Sequence, residues 1–338
     1  MRALQLRSDL DWPKLVTLPE PTPGPGEVLL RVRAAGVCRT DLHMIHNFRH
    51  ELVRPLVLGH EIAGEVVGGH GDFHDLSPGQ LVVVHHKLVC GKCRQCARGR
   101  ETLCQNSVVL GIDRAGGFAE YVTTQAARVL PLPPSVSPAA GAALTCGGVT
   151  AYHALRAAAN VAKSDTVVVL GTGGVGLFAV QIARILGARV VAADLRPEAL
   201  RRATTLGAQR SVRVDPKHPE RLPEELGPDC ADVVLDLVGD SALASGLMSI
   251  LAPGGRYVVT SGRPVDWVPV APYPVFRREL SIVGSRGSSF TELEQVLKLA
   301  AMGRLVSSVS LEAPLSDGEE VLRRVDAGEV VGRTILVP

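Results

Sequence analysis

"VVVLGTGGVG", residues 167–176, sets Gly171, Gly173 and Gly176 in the spacing G-x-G-x-x-G, directly after an apolar run and directly before "LFAVQIARILG". The run reads as a β-strand and the following stretch as a helix. In that setting each glycine has a task. Gly171 permits the tight turn, Gly173 lets backbone approach a pyrophosphate, and Gly176 allows close helix–strand packing. Gly174 and Val175 complete the turn, and the helix N-terminus turns free N–H groups toward phosphate oxygens. The next strand, "RVVAAD", ends at Asp194, eighteen residues past Gly176. A carboxylate there accepts hydrogen bonds from ribose hydroxyls and repels a 2′-phosphate, which predicts NAD rather than NADP. Arg196 works against that preference, because a guanidinium two residues on could receive such a phosphate.

Outward from this turn, strands and helices alternate: "PEALRRATTLG", "ADVVLDLVG", "SALASGLMSILAPGG", "RYVVTSG", ending around "LSIVGS". The alternation predicts an α/β domain with a doubly wound parallel sheet. Upstream, the Ala-rich "PAAGAALTCGGVTAYHALRAAAN" reads as helix. Residues 1–130 read as strand-rich, with "EVLLRVRAAGVC", "IAGEVVG", "QLVVVHH" and "FAEYVTT" separated by turn signals such as "PEPTPGPGE". A helix, "FTELEQVLKLAAMG", and a strand, "GRTILVP", close the chain. A length of 338 residues predicts two domains. Hydrophobic residues make up 46% and charged residues 21%, ordinary for a globular protein, while 4% aromatics leave the core to Val, Leu, Ala and Ile. A net charge of +2 without a basic stripe gives no reason to expect nucleic acid. No apolar stretch reaches the roughly 20 residues of a membrane span, and "MRALQLRSDLDWPK" has no export signal. The expectation is a cytoplasmic protein with reduced thiols.

"CGKCRQCARGRETLC" then spends four of the seven cysteines, Cys90, Cys93, Cys96 and Cys104, within fifteen residues. Thiolates in the pattern C-x2-C-x2-C-x7-C can wrap one Zn²⁺ tetrahedrally and leave no place for substrate, so this is read as a structural zinc site. A ferredoxin-type cluster would need a shorter last gap and a following proline, where this chain has Gln105. Lys92, Arg94, Arg98 and Arg100 offset the charge. The remaining candidates are scattered. "GVCRTDLH" holds Cys38, Thr40, Asp41 and His43; "LGHEIAG" holds His60 and Glu61; "LTCGGVTAYHAL" holds Cys146. Singly, each reads as a buried small thiol or a satisfied polar residue. Together they offer two thiolates and one imidazole, the donor set of a catalytic zinc with an open position. Cys230 matches nothing.

With these motifs in this order, the chain resembles the zinc-dependent medium-chain alcohol dehydrogenases over nearly its whole length; "GGFAEYV" and "GRTILVP" add to the likeness. The resemblance implies a β-rich, GroES-like catalytic zinc-binding domain of residues 1–147 and 287–338, and a dinucleotide-binding Rossmann domain of residues 148–286. It implies two Zn²⁺ per chain, NAD, and reversible oxidation of an alcohol to an aldehyde or ketone by hydride transfer from a zinc-bound alkoxide. Cys38, His60 and Cys146 would hold the catalytic zinc, with Glu61 behind it and Asp41 orienting the ligand imidazole. Thr40 would take the alcohol proton and His43 would pass it to solvent. Thr150 would lie against the nicotinamide, and Arg39 and Arg333 would hold the pyrophosphate. A homodimer or homotetramer is implied, with the strands near "RYVVTSG" and "LSIVGS" pairing across a two-fold axis.

Two stretches depart from the pattern. His85 and His86 stand where alcohol-active members often carry bulky aromatics. They suggest either a polar pocket, as in polyol, sugar or hydroxy-amino-acid dehydrogenases, or simple surface exposure. "GGHGDFHDLSPGQLV", with His70 and His74, reads as a variable loop. A zinc-free enone or quinone reductase on the same scaffold would lack the cysteines found here.

Overall fold

Alternating apolar and polar side chains dominate the first 130 residues, and strands result. The computed structural model describes residues 1–48, 51, 55–71, 76–228, 230–262 and 270–338; His74 lies outside them. Strands β1 (Arg2–Leu6), β2 (Lys14–Thr17) and β3 (Glu27–Val37) precede helix α1 (Arg39–His46). Then come β4 (Leu56–Val57), β5 (Glu61–Gly69), β6 (Leu81–Val84), β7 (Lys87–Leu88), β8 (Val108–Val109), β9 (Tyr121–Gln125), β10 (Val129–Pro131) and helix α2 (Pro138–Ala143). In β3, Val28, Leu30 and Val32 are buried while Arg31 and Arg33 face solvent; from Ala34 on, both faces are covered.

The Ala-rich stretch is helical throughout but not uniform. After α2 the chain takes a π-helical turn at Leu144–Gly148, then α3 (Val149–Tyr152), then a second π segment at His153–Ala158. The alternating segment follows: β11 (Thr166–Leu170), α4 (Gly176–Ile185), β12 (Arg189–Asp194), α5 (Pro197–Thr205), β13 (Arg210–Arg213), α6 (Arg221–Leu226), β14 (Ala231–Asp236), α7 (Ser241–Ser249), β15 (Leu251–Val259), α8 (Pro272–Arg277) and β16 (Ser281–Gly284). These six strands form one parallel sheet in the order β13-β12-β11-β14-β15-β16. The order reverses between β11 and β14, the doubly wound arrangement of a Rossmann domain. "SALASGLMSILAPGG", read from sequence as helix, is helical only to Ser249. "LAPGG" begins β15, with a register shift opposite Ala231 and Val233.

The chain ends with α9 (Phe290–Ala301), β17 (Val309–Pro314), α10 (Gly318–Asp326) and β18 (Arg333–Val337). Both last strands join the earlier ones in a seven-stranded sheet, β10-β6-β5-β3-β18-β17, with β9 also on β3. Contacts divide the chain into two units, Met1–Cys146 with Ser289–Pro338 and Gly147–Ser288. Each has its own aliphatic core, and Tyr257, Phe118 and Phe178 are the largest fully buried side chains. No helix among the described residues is long and apolar enough to cross a membrane.

Candidate active site

Three strand ends and one helix start meet at a corner of the first unit. The register pairs Gly36 of β3 with Glu61 of β5, and Val37 with Thr334 of β18. His60 and Glu61, Cys38, and Arg333 therefore arrive together. A side chain at Gly36 would run into Glu61, so the close approach requires glycine. Asp41, three residues into the helical start, ties the corner. Its Oδ2 accepts the Cys38 N–H at 2.8 Å, capping α1, and its Oδ1 accepts the Gly59 N–H at 3.3 Å. The same Oδ1 lies 3.4 Å from His60 Nδ1, an electrostatic contact rather than an aligned hydrogen bond. Cys146 comes from the π-helical turn, a feature common at functional sites.

One donor atom from each of Cys38, His60, Glu61 and Cys146 lies within 4.8 Å of the others. Cys38, His60 and Glu61 are buried and Cys146 is half-buried, and the four shift one another's ionisation. A hydrogen bond from Cys146, aided by His60 and Arg333, holds the Cys38 thiol well below its ordinary range despite burial. The same bond, with burial, pushes Cys146 well above it. Burial pulls His60 down, but Asp41 and Cys38 outweigh it and raise its affinity for a proton. Burial lifts Glu61 to about 7 against the pull of Arg333, with which it forms an ion pair. Glu61 Oε1 is buried with no hydrogen-bond partner. Two thiols, an imidazole and an orphaned carboxylate oxygen are the donor chemistry of a divalent zinc site. Thr40 Oγ1 stands 3.7 Å from Cys38 Sγ. His43 is one turn further along α1, and Arg39 is exposed at the helix start. Arg333 is 4% exposed and turned onto Glu61.

His85 and His86 are not a surface pair. His85 is 1% exposed, and His86 is half-buried with its ring 5.1 Å from that of His60, at 68°. Burial, then the charges of His60 and His85, lower the His86 pKa well below the ordinary value.

The cysteine lobe sits beyond the β7–β8 ribbon. Sγ separations are 3.5 Å for Cys93–Cys96, 3.6 Å for Cys104–Cys90 and 4.0 Å for Cys93–Cys104. Four sulfurs at the Zn–S distance of ~2.3 Å make a tetrahedron with edges of ~3.8 Å, so the lobe matches a zinc ion. The backbone N–H groups of Cys90 and Cys93 each donate to a cysteine sulfur at 3.4 Å. The N–H of Cys96 lowers the Cys93 thiol to about 6, whereas desolvation and the neighbouring Cys93 sulfur push Cys96 up to about 12.

The second unit carries the glycine turn between β11 and α4. Gly171 has φ +88°, and a Cβ at Gly176 would collide with the Gly171 carbonyl. A Cβ at Gly173 would meet only the Arg196 guanidinium, leaving that side open. Gly174 and Val175 are half-buried in the turn. Asp194, 5% exposed, accepts from Thr172 N (2.8 Å) and Oγ1 on one oxygen and from Arg196 N (2.9 Å) and Nε (3.3 Å) on the other. Thr150 lies on α3, and Cys230 is half-buried beside the core. Sequence reasoning missed one buried pair at the strand ends of this unit: Tyr257 donates to Asp236 Oδ2 at 2.5 Å, while Asp236 Oδ1 accepts from Val238 and Gly239 N–H. "LDLVG" carried no signal for it beyond an acidic residue ending an apolar strand.

The family model described as an alcohol dehydrogenase GroES-like domain matches residues 24–134, and that of a zinc-binding dehydrogenase matches residues 174–302. The chain is 33% identical to an NAD-dependent alcohol dehydrogenase of Sulfurisphaera tokodaii over the full length of both. It is 31% identical to the L-threonine 3-dehydrogenase of Bacillus subtilis, covering 100% of this chain and 99% of that one. The crystal structure of the alcohol dehydrogenase of Aeropyrum pernix superimposes with a TM-score of 0.92 at 30% identity, covering all of both chains.

Proposed function

The chain belongs to the zinc-dependent medium-chain alcohol dehydrogenase family, and on that premise we propose that it reversibly oxidises an alcohol to an aldehyde or ketone with NAD as hydride acceptor. The observation that carries this reading is the convergence of Cys38, His60 and the half-buried Cys146 in one cluster. When bound there, zinc supplies Lewis acidity that favours loss of the substrate's hydroxyl proton, and NAD accepts the hydride.

The chain's own residues do the rest. Cys38, His60 and Cys146 hold the ion, Glu61 stands behind them, and Asp41 fixes the His60 ring. The Thr40 hydroxyl, beside Cys38, takes the proton from the substrate, and His43 passes it on; at positions i and i+3 of α1 the two share a helix face. The turn at Gly171, Gly173 and Gly176 takes the pyrophosphate, with Arg39 and Arg333 as further cations and Thr150 beside the nicotinamide. Asp194 takes the ribose hydroxyls and disfavours NADP, since its carboxylate also engages Arg196. The four-cysteine lobe holds a second, structural zinc.

Purified protein should contain two zinc ions per chain and reduce NAD with an alcohol. Cys38→Ser should lose one zinc and at least ~10³-fold in turnover while NAD binding persists; turnover retained without that zinc overturns the assignment. None of the seven cysteines forms a disulfide, and we infer a reducing, cytoplasmic compartment from that. We also infer a homo-oligomer, dimer or tetramer. β16 is the edge of the six-stranded sheet, Ile282 on it is 41% exposed, and Tyr273 and Phe276 on α8 are 68% and 67% exposed.

A further inference from the structure

The geometry points to His86 as a donor that recognises a second oxygen on the substrate, so that the preferred alcohols carry a hydroxyl or carbonyl on the carbon next to the one oxidised. The inference rests on the reading of the neighbouring cluster as the alcohol-oxidising centre.

The sequence places His86 there by register. β6 pairs antiparallel with β5 through Ala63↔Val83 and Gly64↔Val82. Two residues beyond β6, His86 comes level with His60. Backbone bonds fix the segment on both sides: His85 N–H donates to the Arg128 carbonyl at 2.8 Å, and Leu110 N–H donates to the His86 carbonyl at 3.0 Å. The ring is held as well. It stacks on His85 at 5.7 Å and 14°, and it meets His60 edge-on at 5.1 Å. A ring clamped in this way cannot swing out to water.

Yet His86 Nδ1 is buried with no hydrogen-bond partner, while the residue as a whole is only half-buried. An imidazole carries a proton on at least one of its two ring nitrogens. A proton on Nδ1 would bury an N–H with nothing to receive it, and orphaned N–H groups are rarer in interiors than under-satisfied acceptors. The proton therefore belongs on Nε2, on the less buried side of the ring. An N–H one ring away from His60 matches an oxygen on the neighbouring carbon of a small substrate. It does not match an ammonium, which has no lone pair to offer, so a vicinal diol or hydroxy-ketone is selected and an amino alcohol is not.

The test compares substrate pairs on the zinc-loaded enzyme with NAD: 1,2-propanediol against 1-propanol, 2,3-butanediol against 2-butanol, and L-threonine. Wild type should favour each diol in kcat/KM by about tenfold, the worth of one hydrogen bond, and His86→Phe should erase that preference while His86→Asn keeps part of it. A binding measurement runs beside it. Titration of the enzyme–NADH complex, followed by NADH fluorescence, should show glycolamide binding about tenfold tighter than acetamide in wild type and equally in His86→Phe, with zinc unchanged. Should His86→Phe fail to fold, the wild-type amide pair and His86→Asn decide. Turnover without a diol preference, a preference for L-threonine, or equal binding of the two amides overturns this inference alone. No NAD reduction with any alcohol overturns it together with the proposed function.

Discussion

Glu61 sits in the interior beside Arg333, and the proton it holds ties stability to pH. Its pKa rises from 4.5 to about 7 on folding, with burial as the largest cause. A raised carboxyl pKa means the folded state binds the proton more tightly. The contribution is fully present below pH 4.5 and is lost as pH rises through 7. In zinc-free protein, urea midpoints of wild type should therefore fall relative to Glu61→Gln between those limits; a difference that is flat or rises refutes the burial account. The identity of the donors could be read from sequence, because few residue types bind zinc and the chain has only seven cysteines. The Glu61–Arg333 pairing could not. It depends on β18 lying beside β3, a register between residues almost three hundred positions apart. His86 could be singled out but its placement was left between pocket and surface, since nothing in "VVVHHKLV" says which way an imidazole faces.

Among the elements, α1 and the cysteine lobe illustrate two ways of stabilising a short piece of chain. α1 has eight residues, too few to persist alone, and survives through its Asp41 cap and the burial of Leu42, Met44 and Ile45. The lobe has no apolar core: Cys104 and Thr102 are its buried residues, and its loops are stapled by sulfur. Cys104→Ser should lower zinc content from two to one per chain and cost several kcal/mol of stability, as loss of a structural ion does. Calorimetry and metal analysis read both, and unchanged melting would show that the lobe is not clamped by metal. Neither α1 nor α10 was foreseen. Their apolar positions are few, and strand-like composition around α1 masks the helical period. β17 was missed because its alternation sets Leu311 and Ala313 among Ser310 and Glu312, a weak apolar period that "GRLVSSVS" does not mark off from a loop.

At the scale of the whole molecule, the alternating segment was the most legible part. A parallel sheet buried on both faces writes continuous runs such as "VVVL", and its crossovers require helices between strands. The glycine turn after β11 lies at the order reversal between β11 and β14, the switch point where such sheets take their ligands. The first unit was legible as strand-rich, but not its sheet order, because antiparallel pairing across distant segments leaves no local trace. Assembly belongs to this scale. Ile282→Lys on the edge strand should shift sedimentation toward monomer by placing a charge where a second copy would pair. An unchanged sedimentation coefficient would point to another interface.

The lobe's sulfurs also set how the protein ages. With the ion in place all four are engaged. Stripped of it, Cys93 is largely thiolate at neutral pH and rests 3.5 Å from the Cys96 sulfur. Chelation and peroxide damage are thus successive steps of one decay. Peroxide takes two electrons and two protons from the Cys93–Cys96 pair, closing a disulfide and releasing water, so a sample that has lost its clamp in air will not regain it from added zinc until a thiol reductant has restored both thiols.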